Sequence, residues 1–287
     1  MRNWFSGGIL QGLLFALLWS SASVAGKFGL YTVEPLVLFN IRFVLAGGLL
    51  LVIGYGFQRN QLPSLREFKQ LIVFSAFNTA LYLGLFVLAL RHVAAGITTL
   101  LIALTPILIS LITALWTKRR IKLVTYLSLL LGTLGVAIAS YPLLNTSHVT
   151  GIGLVLLGLS MLAYSFGSVY YTTVKWELPR MVINGWQTLI AAVLILPLTL
   201  YMYEGGNEFG VSFWLSELWM IVFVSVFAVQ LWLRLLKTDP VRASLWLYLC
   251  PIFGFVYATF LLSEPFSVFS VIGGVLVILA LYLGQKK

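Results

Sequence analysis

Apolar residues run along this chain in stretches of about 20, each closed by a short polar or basic turn, and about 20 mostly apolar residues are what an α-helix needs to cross the hydrocarbon core of a bilayer. The runs are Ser6–Ala25, Pro35–Tyr55, Phe68–Leu90, Ala94–Trp116, Leu123–Tyr141, Thr150–Val174, Met181–Leu200, Phe213–Leu236, Val241–Leu262 and Ser267–Leu283. They are continuously apolar, whereas strands of a membrane barrel alternate in and out over roughly 10 residues. The pattern therefore predicts an all-α integral membrane protein with ten transmembrane helices.

One passage is written twice. Ala89–Pro106 and Arg234–Pro251 each end an apolar run in a basic turn, restart with small residues and Thr or Ser, and then set Leu104-Thr105-Pro106 or Leu249-Cys250-Pro251 inside the next run. The two prolines lie about half the chain apart, which predicts two copies of one structural unit, residues 1–145 and 146–287, forming one membrane domain. A paired interruption of hydrophobic segments points to a transporter's binding site.

Composition agrees with the pattern. Hydrophobic residues make up 61% of the chain and charged residues 9%, with a mean hydropathy of +1.02, which excludes a water-soluble globule. Cys250 is the single cysteine, so no internal disulfide forms, and with only His92 and His148 beside it no metal or other cofactor site is expected. Arg2 followed by an apolar run and Ser21–Gly26 imitates a secretory signal, but the run is long enough to span, and its removal would break the duplication.

The net charge of +10 is read by position, and no nucleic-acid partner follows from it. With the N-terminus inside, the cytoplasmic segments hold Arg2, Arg59, Arg66, Lys69, Lys118, Arg119, Arg120, Lys122, Lys175, Arg180, Arg234, Lys237, Arg242, Lys286 and Lys287, fifteen of the eighteen basic residues. Only Lys27 and Arg91 fall outside, and Arg42 lies within the second run. The positive-inside rule thus predicts a multi-pass protein of the cytoplasmic (inner) membrane with both termini in the cytoplasm. Glu34, Glu204, Glu208, Glu217 and Glu264 fall on the outer side of this scheme, so no acid is expected in mid-membrane. Five crossings per half make the two copies antiparallel, and inverted repeats place a site near the midplane for alternating access.

These residues resemble the drug/metabolite transporter superfamily, in particular its ten-helix EamA-type branch. The resemblance rests on Leu18-Trp19-Ser20, Pro35 with Ile41-Arg42-Phe43, the Ala89–Pro106 passage, Arg242-Ala243-Ser244-Leu245 with Leu249-Cys250-Pro251, and Leu262-Ser263-Glu264, in order along nearly the whole chain. Two positions depart from it: Lys118-Arg119-Arg120 stands where the family usually has Gly-Glu-Arg, and Cys250 where it often has Glu. The resemblance implies export or exchange of small metabolites, commonly amino acids, and the second departure removes one carboxylate from any coupling scheme.

Candidate site residues come from helical spacing. Pro106 and Pro251 delete an N–H in mid-run, predicting kinks that free the carbonyls of Ile102 and Leu247. Asn78 and Tyr82, Thr98 and Thr105, and Tyr164, Ser168 and Tyr171 fall on common helix faces, as do Ser244, Tyr248 and Pro251, with Gln230, Trp19 and Trp246 close by. An aromatic wall with amide and hydroxyl handles suits an amphipathic or partly apolar solute. Arg42, the one base set well inside a run, pairs with a substrate carboxylate, snorkels to the interface or binds neighbouring helix carbonyls. Gly47-Gly48, Gly132 with Gly135, and Gly273-Gly274 predict close helix packing, with a monomer favoured and a dimer open.

The leading expectation is a secondary carrier for a small organic metabolite, aromatic or apolar amino acids first, driven by exchange or by the solute's own gradient. A proton relay through a buried carboxylate is not expected. The alternatives are an uptake carrier for sugars or nucleotide-sugars and an intramembrane enzyme, the latter opposed by histidines placed only in external loops.

Overall fold

The computed structural model describes residues 2–58, 60–93, 95–118, 121–144, 150–262 and 267–285. Arg59, Arg119, Arg120, His148, Glu264, Lys286 and Lys287, used above, lie outside the described residues, as does the boundary between 145 and 146. All described regular structure is helical: α1 (Arg2–Leu30), α2 (Pro35–Phe57), α3 (Leu65–Leu90), α4 (Ala95–Ile102 and Thr105–Thr117), α5 (Leu123–Ala139), α6 (Gly151–Thr173), α7 (Arg180–Tyr201), α8 (Val211–Thr238), α9 (Pro240–Leu245, Trp246–Tyr248 and Leu249–Leu262) and α10 (Val268–Gln285), with a short turn of helix at Tyr141–Leu144. Among the described residues nine helices are long and apolar enough to span a membrane, while α5, at 17 residues, is shorter.

Local chemistry sets the helix starts. Ser64 and Glu67 form a capping box that starts α3 at Leu65, earlier than the apolar run suggested. Pro35 opens α2, Thr150 caps α6 by accepting from Gly153 N, and the Asp239 carboxylate accepts from Val241 N and Arg242 N, where Pro240 opens α9. Pattern alone missed the interior irregularities. Val52–Phe57, Ala76–Leu81 and Met220–Ala228 are π-helical, because an extra residue is accommodated in each turn without breaking the span.

Each helix turns one side to the bundle and one apolar side outward. On α1, Phe15 and Ala16 are fully buried, whereas Leu10, Leu13, Leu14 and Leu17 form an exposed stripe. An outward leucine face on helices of spanning length, with Ser, Thr, Asn and Gln buried between them, is how a multi-pass protein meets lipid.

The most extensive pairings are α5 with α10, α3 with α6, α1 with α8 and α2 with α7, followed by α1 with α9, α3 with α7, α4 with α6 and α4 with α9. Exchanging every helix with the one five places away returns all of these but α3 with α7, whose counterpart, α2 with α8, is a smaller contact. Glycines allow the close approaches: a Cβ on Gly47 of α2 would stand 2.9 Å from Leu189 N of α7, and one on Gly135 of α5 would stand 2.8 Å from the Gly273 carbonyl oxygen of α10. On α6, a Cβ on Gly167 would stand 2.6 Å from Asn78 N, so α3 and α6 touch backbone to backbone.

Candidate functional site

Aromatic rings from α1, α3, α6 and α8 meet inside the bundle. Phe15 stacks on Trp232 with centroids 5.0 Å apart, Tyr164 stacks on the same indole at 6.2 Å, and Tyr82 lies 4.8 Å from Tyr164. Trp19 joins through Phe15 at 5.7 Å. Offset rings of this kind present π-faces and polar edges together. Trp232 is 1% exposed and its Nε1 has no acceptor; the Tyr164 hydroxyl has Ser168 near it but without hydrogen-bond geometry. Buried donors normally find partners, so Trp232 Nε1 and the Tyr164 hydroxyl are two polar atoms of this cluster that the protein itself leaves unmatched.

Beside the rings runs a polar chain. Ser168 Oγ donates to Asn78 Oδ1 (3.3 Å), Asn78 Nδ2 to Gln187 Oε1 (3.3 Å), and Gln187 Nε2 to Asn184 Oδ1 (3.2 Å). Asn184 Nδ2 continues to the Ser225 carbonyl (2.8 Å), and Arg42 Nε donates to Ser225 Oγ (2.9 Å). The chain thus links α6, α3, α7, α8 and α2. Asn78 and Ser225 both sit in π-helical segments, which turn them inward where a regular helix would shift their register.

Both prolines stand at interruptions. In α4 the helix stops at Ile102, tightens through Leu104 N to Leu101 O (3.1 Å), and restarts at Thr105 with Pro106 in the first turn. In α9 a 3₁₀ turn, Trp246–Tyr248, precedes Pro251. The break in α4 separates Thr98 from Thr105, so they do not share one continuous face; both are buried, and Thr105 Oγ1 lies 3.3 Å from Met161 Sδ.

Other sequence candidates point elsewhere. Tyr248 packs against Gly132 and bonds Thr133 Oγ1 (3.0 Å) and the Leu129 carbonyl (3.1 Å), fastening α9 to α5. Ser244 Oγ donates to the Val241 carbonyl within its own helix, and Gln230 Nε2 donates to the Arg180 carbonyl (3.3 Å) at the start of α7. Tyr171 stacks on Phe74 and Trp176, away from Trp232. Sequence spacing missed Trp232, Asn184 and Gln187, although Asn184, Gln187 and Thr188 follow each other at helical intervals in α7 and bear the signal that Asn78 bore in α3.

The largest correction concerns Glu217. Instead of facing the outer solution, it lies in α8 with 0% exposure, and neither carboxylate oxygen has a hydrogen-bond partner. Arg42 is within electrostatic reach but directs its donors to Ser225 Oγ and Met220 Sδ. A buried carboxylate is therefore present, against expectation.

Apolar helices of spanning length packed around an internal aromatic and polar cluster define a multi-pass membrane protein, and comparison with known proteins makes it a transporter. The EamA-like transporter family model matches residues 6–141 and 151–284, and the chain belongs to that family. An uncharacterized transporter of Archaeoglobus fulgidus is 24% identical over 96% of this chain and 97% of its own. The uncharacterized transporter YvbV of Bacillus subtilis is 25% identical over 94% and 89%, and the uncharacterized inner membrane transporter YedA of Escherichia coli K12 is 24% identical over 90% and 84%. A solved crystal structure of another protein superposes with a TM-score of 0.83 over 98% of this chain and 97% of its own, at 18% identity, which shows the shared fold.

Proposed function

We propose that this protein is a secondary carrier that moves a small organic metabolite, an aromatic or apolar amino acid first, across the cytoplasmic membrane by alternating access in the direction of export or exchange. The observation that carries the reading is the Trp232 cluster, where Phe15 and Tyr164 stack on a buried indole whose N–H has no acceptor and Tyr82 packs on Tyr164. A flat or branched apolar side chain stacks on such rings, while its carboxylate accepts from Trp232 Nε1 and the Tyr164 hydroxyl. The interruptions before Pro106 and Pro251 act as hinges and offer the Ile102 and Leu247 carbonyls to the solute's ammonium group.

In this reading α5 is the tenth span, both termini are cytoplasmic, the working unit is a monomer, and α1–α5 and α6–α10 are inverted repeats. Support comes from the family model falling once on each half and from the five-place symmetry of the helix pairings. Purified protein in liposomes tests the function: preloaded phenylalanine should exchange with labelled phenylalanine outside at equal pH, and absence of counterflow over a panel of amino acids and sugars would remove the carrier reading. Single cysteines at Thr32 and Thr238 in a Cys250→Ser background should label from opposite sides of intact cells, Thr32 from outside.

A further inference from the structure

Glu217 is an ionisable group that the proposed path does not use, fully buried and with neither carboxylate oxygen hydrogen-bonded. It sits six residues into α8, and Arg42 sits seven residues into α2, so with α-helical rise both lie about 10 Å from the helix ends joined to the Thr32–Glu34 turn and the 205–208 loop. Three hydrogen bonds tie α8 to α1 on either side of Glu217 along the chain: Ser212 Oγ to the Phe28 carbonyl (3.1 Å), Ser216 Oγ to the Ala25 carbonyl (2.6 Å) and Trp219 Nε1 to Ser21 Oγ (2.9 Å). Gly29 closes the seam further, since a Cβ there would stand 2.9 Å from Ser216 Oγ. No solute-sized space reaches a residue with 0% exposure, but a proton needs none.

The surroundings of Glu217 are simple. Among the described residues, Arg42 on α2 is the charged group within electrostatic reach of it; α1 presents Ser21, Ala25 and Gly29 to this stretch of α8, and α8 itself presents Met220 and Ser225. Arg42 in turn feels Glu217 and, from α3, Tyr82. Two arrangements are therefore open to the pair. With the carboxyl protonated it is neutral and needs no cation, and Arg42 stays on Ser225 Oγ as observed. With the proton gone, the carboxylate attracts the guanidinium away from Ser225, in the π-helical stretch of α8 that also holds the Asn184 amide. The same hydrogen-bonded chain runs on through Asn184, Gln187 and Asn78 to Ser168, one helical turn from Tyr164 in the aromatic cluster.

We infer that Glu217 is a proton-binding site that couples transport to the proton gradient, with Arg42 as the positioning residue that reports its charge to the solute site through Ser225. The chemistry balances without a further reactant: the carboxylate takes one proton from the outer solution when the α1–α8 seam parts, becomes a carboxylic acid, and returns that proton to the inner solution before or as the solute binds. No other bond is made or broken. This rests on the carrier reading above, and it puts the proton gradient in place of exchange or the solute's own gradient as the energy source, solute leaving as a proton enters.

Two measurements on the full-length purified protein test it. Infrared difference spectra between acid and alkaline buffer, with no solute present, should show one buried carboxylic-acid C=O band that disappears on the alkaline side; Glu217→Gln should lack it and Glu217→Asp should shift it. Liposomes with an acidic lumen should accumulate labelled phenylalanine above the equal-pH level, with the gain lost in Glu217→Gln and partly restored in Glu217→Asp. Size-exclusion profiles control for folding, and if the Gln variant fails them the wild-type and Asp spectra decide. A wild type without a titrating carboxyl band, or a Glu217→Gln variant that still accumulates solute like wild type, overturns the proposal. A titrating Glu217 band in a protein that shows no counterflow would sink the carrier reading while leaving the proton site standing.

Discussion

Gly135 of α5 and Gly273 of α10 meet backbone to backbone: a Cβ on Gly135 would stand 2.8 Å from the Gly273 carbonyl oxygen and 3.0 Å from Val277 N. Neither obstacle is a movable side-chain end, so the helices must separate to admit even a methyl group. Gly135→Ala should therefore destabilise the protein by about 1–3 kcal/mol, the usual cost of overpacking. Thermal unfolding in detergent measures it. Gly48→Ala, which has nothing within 4 Å to meet, should melt like wild type.

Trp232→Phe keeps the stacked ring but removes the buried N–H that lacks a partner. If that N–H binds the solute, the variant loses one hydrogen bond to a charged group, about 1.5–3 kcal/mol, and its half-saturating concentration in counterflow rises on the order of tenfold. Its thermal stability should fall somewhat, because the smaller ring leaves a cavity in a fully buried position, but by less than the cost of a Trp→Ala truncation, about 3–5 kcal/mol.

Asn184 is the junction of the polar chain: its Oδ1 accepts from Gln187 and Thr188, and its Nδ2 donates to the Ser225 carbonyl. Asn184→Ala leaves three buried polar groups short of a partner, at about 1–3 kcal/mol for each group left unsatisfied. Asn184→Asp keeps the acceptor and loses the donor. Melting should rank wild type first, Asp next and Ala last.

Tyr248→Phe removes the hydroxyl that bonds Thr133 and the Leu129 carbonyl. Because those bonds fasten α9 to α5 and do not face the aromatic cluster, stability should fall by about 0.5–1.5 kcal/mol with little change in solute affinity. A large affinity loss without a change in melting would return Tyr248 to the solute path, where sequence spacing had placed it.

Pro251→Ala restores a backbone N–H to α9 after the 3₁₀ turn at Trp246–Tyr248. Transport rate should fall more than membrane insertion; normal transport with failed insertion would make the interruption purely architectural.

Helical spacing found several inward-facing groups because burial on one face of a helix repeats regularly, and the packing agrees for Asn78, Tyr82, Tyr164, Ser168 and Arg42. For Gln230 and for the fully buried Ser244 it says nothing of the partner. In these, a polar atom reaches the nearest backbone carbonyl, of Arg180 and of Val241, and periodicity carries no record of which carbonyl is within reach. It failed for Glu217. Charge near a run's end reads as facing water, and only the seam of α1 against α8 shows that it is covered.

What the sequence by itself determined is what composition and period control: helices of spanning length, a membrane protein, the two proline-marked passages and the family. These follow because bilayer hydrocarbon imposes run length and apolarity on each segment separately, before any segment meets another. Only the tertiary structure decided which residues share the interior. Trp232 became the hub through Phe15 of α1 and Tyr164 of α6, and Glu217 became buried beside Arg42 of α2, because these contacts join residues far apart in the chain, brought together by glycine seams and π-helical turns that the pattern of polar and apolar positions does not contain.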